Sequence, residues 1–232
     1  MRRIAFSLGV VAIIAGFLAP SPAAAQQSVN FYVGGFTPRT ADARGTDDVL
    51  FQDGNFLDFN LKHFDGPTAG GEWLVQVTRN IEAGLGVGIY SRTTPSVYTS
   101  FVNSDGTEIQ QDLKLRIVPF TATVRFLPLG NDGPIQPYIG AGVGVFAWRY
   151  SETGQFVDFT DNSVFRNSYV GRGTSVGPVV MGGVMVGSRQ FGVGGEIRYQ
   201  SAKGDLPSDQ GFAGTKIDLG GFNYLAIFRI GF

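Results

Sequence analysis

The stretch Tyr224-Leu-Ala-Ile-Phe-Arg-Ile-Gly-Phe232 decides the fold. Every second position, counted back from the last residue, is apolar or aromatic, and this set comprises Phe232, Ile230, Phe228, Ala226, Tyr224 and Phe222. The intervening set includes Arg229 and Asn223. Because side chains alternate between the faces of a strand, the pattern predicts a β-strand with one apolar face that ends at the chain terminus. A closing strand of a soluble β-domain would show the same pattern, so the rest of the chain has to decide.

The first 25 residues have the three parts of a secretory signal peptide. Arg2 and Arg3 follow Met1, Ile4–Ala19 is apolar, and Ala23-Ala-Ala25 supplies small residues for cleavage. The apolar run is shorter than the ~20 residues that a membrane-spanning helix needs. We therefore predict a cleaved signal peptide over 1–25 and one exported domain over 26–232.

Composition excludes several classes of protein. The chain has no cysteine, so neither a lipid-modified cysteine nor a disulfide is expected. Without the signal peptide, Lys+Arg falls from 18 to 16 against 19 Asp+Glu, which leaves a net charge of −3 and no basic patch for nucleic acid. No later segment is apolar for long enough to form a membrane helix. The 34 glycines and sparse charges of an exported chain favour an outer-membrane β-barrel.

Period-two patterns predict eight strands. Their ranges are 28–36, 67–78, 81–91, 113–126, 135–149, 174–188, 191–201 and 217–232. Short links at 79–80, 128–134 and 189–190 alternate with long links at 37–66, 92–112, 150–173 and 202–214. Bacterial outer-membrane barrels have short periplasmic turns and long extracellular loops. The predicted fold class is therefore all-β, an eight-stranded antiparallel up-and-down transmembrane β-barrel with both ends at the periplasm.

The faces of the strands favour the same fold. Within the strands 81–91 and 135–149, apolar residues alternate with glycine over 83–89 and 139–145, so one face suits lipid and the other suits a narrow lumen. Over 113–126 the apolar parity switches near Pro119, which predicts a β-bulge at 117–119. The phase of 174–188 is not resolved by its sequence. Phe56–Phe64, within the first long link, is predicted to be an extra strand beyond the membrane.

Charged residues on the predicted lumen face are the strongest functional candidates. They are Glu82, Lys114, Arg116, Arg125, Glu196, Arg198 and Arg229. Unpaired charges in a confined lumen are costly, so we expect Glu82 to pair with Arg125 and Glu196 with Arg229. Such a network either fills a small barrel structurally or forms a charged constriction that sets ion selectivity.

Patterns for catalysis, cofactors and metals are weak. The G-x-G-x-G runs at 84–88 and 140–144 lack the spacing and the following helix of a dinucleotide site. His63 is the only histidine and has no serine near it in the chain, which disfavours a catalytic triad and a zinc site. The aspartates of the first long link match no calcium loop. We therefore predict no catalytic, cofactor-binding or metal-binding residue, and a protein that is not an enzyme.

The chain resembles the small eight-stranded outer-membrane β-barrel proteins, the group that includes the OmpA-like transmembrane domain, OmpW-type and opacity-type porin-like proteins. The resemblance covers 28–232 and rests on Pro137-Tyr-Ile-Gly-Ala-Gly-Val-Gly144, the hairpins and the terminal strand. It implies a C-terminal sorting strand whose outward residues are Tyr224, Phe228, Ile230 and Phe232. OmpA-like members carry a peptidoglycan-binding domain after the barrel, and that role is not expected for a chain ending at Phe232.

Location in the outer membrane of a Gram-negative cell envelope is therefore expected. The expected partners are outer-membrane lipids and lipopolysaccharide, with the barrel-assembly machinery and periplasmic chaperones during biogenesis, and no nucleic acid. The leading hypothesis is a non-enzymatic protein with a structural or surface-interaction role through its extracellular loops. A narrow channel for small solutes or ions is the alternative, and a lipid-modifying enzyme is the third possibility.

Overall fold

The computed structural model describes residues 26–232, and the predicted signal peptide lies outside these residues. Eight long strands form the body of the molecule. They are β1 (Gln27–Pro38), β3 (Gly66–Thr78), β4 (Ile81–Val102), β5 (Glu108–Phe126), β6 (Ile135–Val157), β7 (Val164–Gly187), β8 (Phe191–Gln200) and β11 (Gly221–Gly231). Three short strands lie outside this set: β2 (Leu57–Asp58), β9 (Lys203–Asp205) and β10 (Lys216–Asp218). Among the described residues, no helix is both long and apolar enough to span a membrane.

The eight long strands close into a barrel. β11 pairs antiparallel with β1 along its whole length, from Gly231 opposite Ser28 to Gly221 opposite Pro38. The ring runs β4-β3-β1-β11-β8-β7-β6-β5 and returns to β4. Closure leaves the wall without an edge strand, so its backbone groups can be satisfied in an apolar solvent. The predicted eight-stranded up-and-down barrel is confirmed.

The two ends of the barrel differ. The links at 79–80, 127–134 and 188–190 share the periplasmic end with both ends of the described chain. Asp132 joins all three links there, because it pairs with Arg79 at 3.0 Å and also with Arg189. At the opposite end β4 to β7 extend well past their predicted limits, so the predicted loops 92–112 and 150–173 are mostly tall hairpins.

Outward-facing apolar side chains surround the barrel between these ends. Leu85, Ile139, Val143 and Val176 are 57%, 65%, 57% and 69% exposed. A continuous apolar surface of this kind is rare on soluble monomers, whereas the lipid face of a transmembrane barrel requires one. The inverted faces predicted from the sequence are therefore observed.

The β-bulge predicted at 117–119 is wrong. β5 keeps one register with β6 through this segment, and its odd-numbered side chains face inward along nearly the whole strand. Within the membrane the outward residues are apolar, as at Phe120 and Val124. Farther out the wall faces water, and the apolar residues, such as Leu113 and Leu115, are buried in the interior. The position at which apolar residues change from the outward to the inward face of β5 marks the extracellular limit of the lipid-facing surface.

The phase of β7 follows from burial. Met181 and Met185 are buried inside the barrel, whereas Val180, Val184 and Val186 are exposed on its outer face. The sequence left this phase open because apolar residues occupy both faces of the strand.

Residues 39–65 fold into the extracellular mouth, and we call them the cap. They contain α1 (Val49–Asp53) and two 3-10 helices, Ala41–Ala43 and Leu61–Phe64. The side chains of Val49, Leu50 and Phe64 are buried inside the mouth. The strand predicted at 56–64 is wrong except for β2, which pairs with β4, because the following residues turn inward to bury Phe64.

Candidate functional site

Two glutamates and two arginines meet in the lumen at the level of the membrane, and we call them the central cluster. Arg125 Nη2 lies 3.0 Å from Glu196 Oε2 and also contacts Glu72. Arg198 Nε donates to Glu196 Oε1 at 2.8 Å, and its Nη2 lies 3.4 Å from Glu72 Oε2. Since these residues come from β3, β5 and β8, which are not neighbours in the ring, the cluster spans the lumen.

A second group of polar residues closes the periplasmic end. Arg229 Nη2 lies 3.3 Å from Glu82 Oε2, while its other nitrogens donate to Asn30 Oδ1 at 3.1 Å and Gln136 Oε1 at 3.2 Å. The cavity beside this group has a volume of about 20 Å³. That volume is enough for about one water molecule.

Neutral groups complete the central cluster. Tyr138 Oη donates to Glu196 Oε2 at 2.8 Å, and Thr123 Oγ1 donates to Glu72 Oε1 at 2.9 Å. The guanidinium of Arg125 also lies 4.6 Å from the centre of the Tyr138 ring. With Glu82 and Arg229 included, three carboxylates balance three guanidiniums. Balanced pairing offsets the cost of removing these ions from water.

The structure changes the predicted pairing of the lumen charges. Glu82, Arg125, Glu196, Arg198 and Arg229 all face the interior and are buried. The predicted pairs Glu82–Arg125 and Glu196–Arg229 are wrong, because Arg125 pairs with Glu196 and Arg229 with Glu82. Glu82 and Arg125 are opposite by strand register, but their long side chains point into the lumen, where charges from distant strands meet.

The prediction that Lys114 and Arg116 line the lumen is also wrong. Both side chains are exposed on the outer face of β5. The prediction assumed that Leu113 and Leu115 face lipid, whereas this part of β5 stands above the membrane and turns its apolar side chains inward. Lys114 and Arg116 therefore lie outside the barrel and take no part in the charge network of the lumen.

Sequence reasoning missed Glu72, which takes part in the central cluster. A signal was present, because Trp73, Val75 and Val77 share the apolar parity and leave Glu72 on the lumen parity. In the structure Trp73 and Val77 are exposed on the outer face, and Glu72 is 2% exposed.

The cap is fastened to the link between β8 and β11. Arg39 Nη1 lies 2.9 Å from Asp218 Oδ2, and the Asp218 backbone N–H donates to Asp48 Oδ2 at 2.5 Å. Asp48 also accepts from Arg44 Nη1 at 2.9 Å and from the Phe51 N–H at 3.2 Å, which caps the start of α1. These contacts hold α1 inside the extracellular mouth.

An acidic pair lies beneath the cap, above the membrane-spanning part of the wall. Tyr150 Oη donates to Asp53 Oδ2 at 3.1 Å, and Glu152 follows on the same face of β6. Burial raises the pKa of Asp53 well above its usual range, and the charge of Glu152 raises it further. Burial also raises the pKa of Glu152 to about 7. Docking of the cap therefore favours the protonated forms of both carboxyls.

The terminal strand spans the barrel wall, and the lone histidine lies in the cap at the extracellular end. Tyr224, Phe228 and Phe232 are exposed on the outer face of the barrel, and Ile230 is half-buried. Their role in sorting stays a prediction. His63 is exposed in the cap, and its carbonyl oxygen accepts from Arg92 Nε at 2.8 Å.

Glycine at 142 is needed for close approach of two strands. A Cβ there would lie against the Ala122 carbonyl oxygen and 2.8 Å from Thr123 Cα, so the backbone would have to shift. We expect Gly142→Ala to destabilise the barrel by about 1–3 kcal/mol in urea unfolding from detergent micelles. Gly35→Ala is the matched control, because no atom lies within 4 Å of its added Cβ. Equal losses in the two variants would contradict this explanation.

A closed eight-stranded ring with an outward apolar belt and a charge-filled interior defines a small transmembrane β-barrel of the bacterial outer-membrane type. The outer membrane protein OprG from Pseudomonas aeruginosa has a similar structure, with a TM-score of 0.53 and 14% sequence identity over 90% of this chain and 96% of OprG. At this identity the likeness shows the fold alone.

Two other solved structures are less similar. Neisserial surface protein A has a TM-score of 0.49 and 13% identity over 89% of this chain and 97% of its own. The outer membrane protease OmpT from Escherichia coli has a TM-score of 0.43 and 10% identity over 93% of this chain and 99% of its own. No family model matches the chain, and no curated protein matches it in sequence.

Proposed function

We propose that this protein is a non-enzymatic outer-membrane barrel with a sealed lumen and a structural or surface-interaction role. The central cluster carries the proposal. Arg125 is fully buried and contacts carboxylates from β3 and β8, so the lumen is crossed by paired charges rather than by a water-filled path. The cap adds a second closure at the extracellular mouth.

Aromatic residues at the extracellular tip support the surface role. The Phe159 ring lies 6.0 Å from Phe56 and 5.7 Å from Phe101, which brings together the cap and two hairpins. Phe159 is 60% exposed beyond the lipid belt. Exposed apolar groups rimmed by polar residues are typical of interaction sites.

Planar-bilayer recording tests the sealed lumen. We expect purified, folded protein to show no unitary current, because opening a path would break buried ion pairs. A narrow channel would instead give reproducible currents that change when Glu196 or Arg229 is replaced by Gln. Lys114→Gln is the matched control, since Lys114 is outside the lumen. Currents that respond to the lumen variants and not to this control would overturn the proposal.

A further inference from the structure

Three arginines form a row on the outer wall of the barrel. Arg116 of β5 is opposite Arg149 of β6, and Arg149 is opposite Arg172 of β7. All three side chains are exposed on the outer face. Cβ atoms of directly opposite residues on antiparallel strands are about 4.5–5.5 Å apart. The row therefore concentrates three positive charges on adjacent strands.

Protein carboxylates do not neutralise this row. None of the ion pairs within residues 26–232 includes Arg116, Arg149 or Arg172. The adjacent outward cation on β5 is Lys114, and the next outward residue, Asp112, lies four positions from Arg116, or about 13 Å along the strand. Like charges placed directly opposite destabilise a sheet, so a ligand that bears negative charge would relieve the repulsion.

The cations at the periplasmic end differ from the arginine row because they have a carboxylate partner. There the exposed cations Arg79 and Arg189 both pair with Asp132, so their charge is partly offset within the protein. The arginine row lies on the opposite side of the lipid belt, at the extracellular end. The row of arginines that have no carboxylate partner is therefore on the outer-leaflet side.

The height of the row matches the lipid headgroups. The next outward positions toward the membrane are Val118, Ala147 and Thr174, and beyond them lie Phe120, Val145 and Val176, which are 50%, 40% and 69% exposed. Arg116 and Arg149 are thus two residues, or about 7 Å of strand, from the last outward apolar residue, and Arg172 is four residues from Val176. The headgroup regions together add about 10–15 Å to the ~30 Å hydrocarbon core, so the row lies among the headgroups.

We propose that Arg116, Arg149 and Arg172 bind the phosphate groups of lipid A in the outer leaflet. Guanidinium groups bind phosphate with paired hydrogen bonds, and three in register present a surface for a doubly phosphorylated headgroup. The two phosphates of one lipid A headgroup fit this charge better than the single phosphate of a phospholipid. The site concerns the wall of the barrel and is independent of whether the lumen is sealed.

Titration calorimetry of folded protein in nonionic micelles tests the site, with bisphosphorylated lipid A as the probe. We expect the triple variant R116Q/R149Q/R172Q to bind lipid A at least tenfold more weakly than wild type. The control R79Q/R166Q/R189Q removes the same charge elsewhere and should bind like wild type, because Arg79 and Arg189 are at the periplasmic end and Arg166 is exposed on β7 six residues from Arg172. Phosphate-free lipid A should bind wild type no better than it binds the triple variant.

Three results would overturn the proposal. The first is wild-type affinity in the triple variant. The second is equal loss in the control variant, which would indicate a general charge effect. The third is phosphatidylglycerol binding to wild type as tightly as lipid A, which would assign the row to phospholipid. Folding is checked separately, because without anionic lipid the triple variant should be at least as stable as wild type in urea.

Discussion

Arg125→Met is expected to destabilise the folded barrel by about 3–5 kcal/mol. Arg125 is fully buried and contacts both Glu72 and Glu196, so the substitution leaves two carboxylates with only Arg198 between them. Breaking a buried ion pair from one side costs this much because an uncompensated charge stays in a medium of low polarity. Urea unfolding in detergent micelles, followed by tryptophan fluorescence, measures the loss.

Two companion variants separate this effect from general damage. Arg116→Met makes the same change on the same strand at an exposed position, and its effect should stay within about 0.5 kcal/mol. Adding Glu72→Gln to Arg125→Met restores the charge balance and should recover part of the stability. An Arg125→Met loss no larger than that of Arg116→Met would show that the central cluster is not a stabilising unit.

The docking of the cap is expected to weaken as pH rises from about 4.5 to about 7. The docked cap raises the pKa values of Asp53 and Glu152 by burial, and undocking into solvent returns them toward their ordinary values. A carboxyl whose pKa is raised by burial therefore favours docking fully below its ordinary pKa, and this advantage is lost as pH rises through the raised value. For Glu152 the ordinary pKa is 4.5 and the raised value is about 7, which sets the stated window. For Glu152 alone, a rise to about 7 is worth on the order of 3 kcal/mol.

Hydrogen exchange of the α1 amides, corrected for intrinsic rates, measures this change. Protection of Val49–Asp53 should fall across the stated pH window, with β-strand amides as an internal reference. Charged groups beside the pair include Asp48, whose charge also raises the pKa of Asp53. Asp53→Asn combined with Glu152→Gln should flatten the pH dependence, whereas Asp42→Asn, at an exposed cap position, should preserve it. A flat profile in the wild type would contradict the assignment.

Most of the barrel could be predicted because its rules are local. Alternation at Tyr224–Phe232 and over 81–91 reports which face meets lipid, and short turns report where strands reverse. The prediction failed at Lys114 and Arg116 because apolar residues face outward within the membrane, whereas above the membrane they face inward. The predicted strands β4 and β7 were too short for a related reason, since the polar outward residues of tall hairpins resemble loop sequence.

The lumen pairs lay beyond sequence reasoning. Strand register places Glu82 opposite Arg125, yet Arg125 pairs with Glu196 on a strand three positions away in the ring. Which glutamate pairs with Arg125 depends on the lumen being narrow enough for long side chains to cross it. The cap likewise depends on Asp48 meeting Asp218, which is 170 positions away in the chain.

By itself, the sequence determined the number of barrel strands, their order and the lipid-facing side of most of them, because these follow from period-two alternation and turn residues. Only the tertiary structure decided which charges pair, that residues 39–65 fill the mouth, and that Arg116, Arg149 and Arg172 form one row. Each of these depends on distances between strands far apart in the chain, which closure of the ring sets and local patterns do not record.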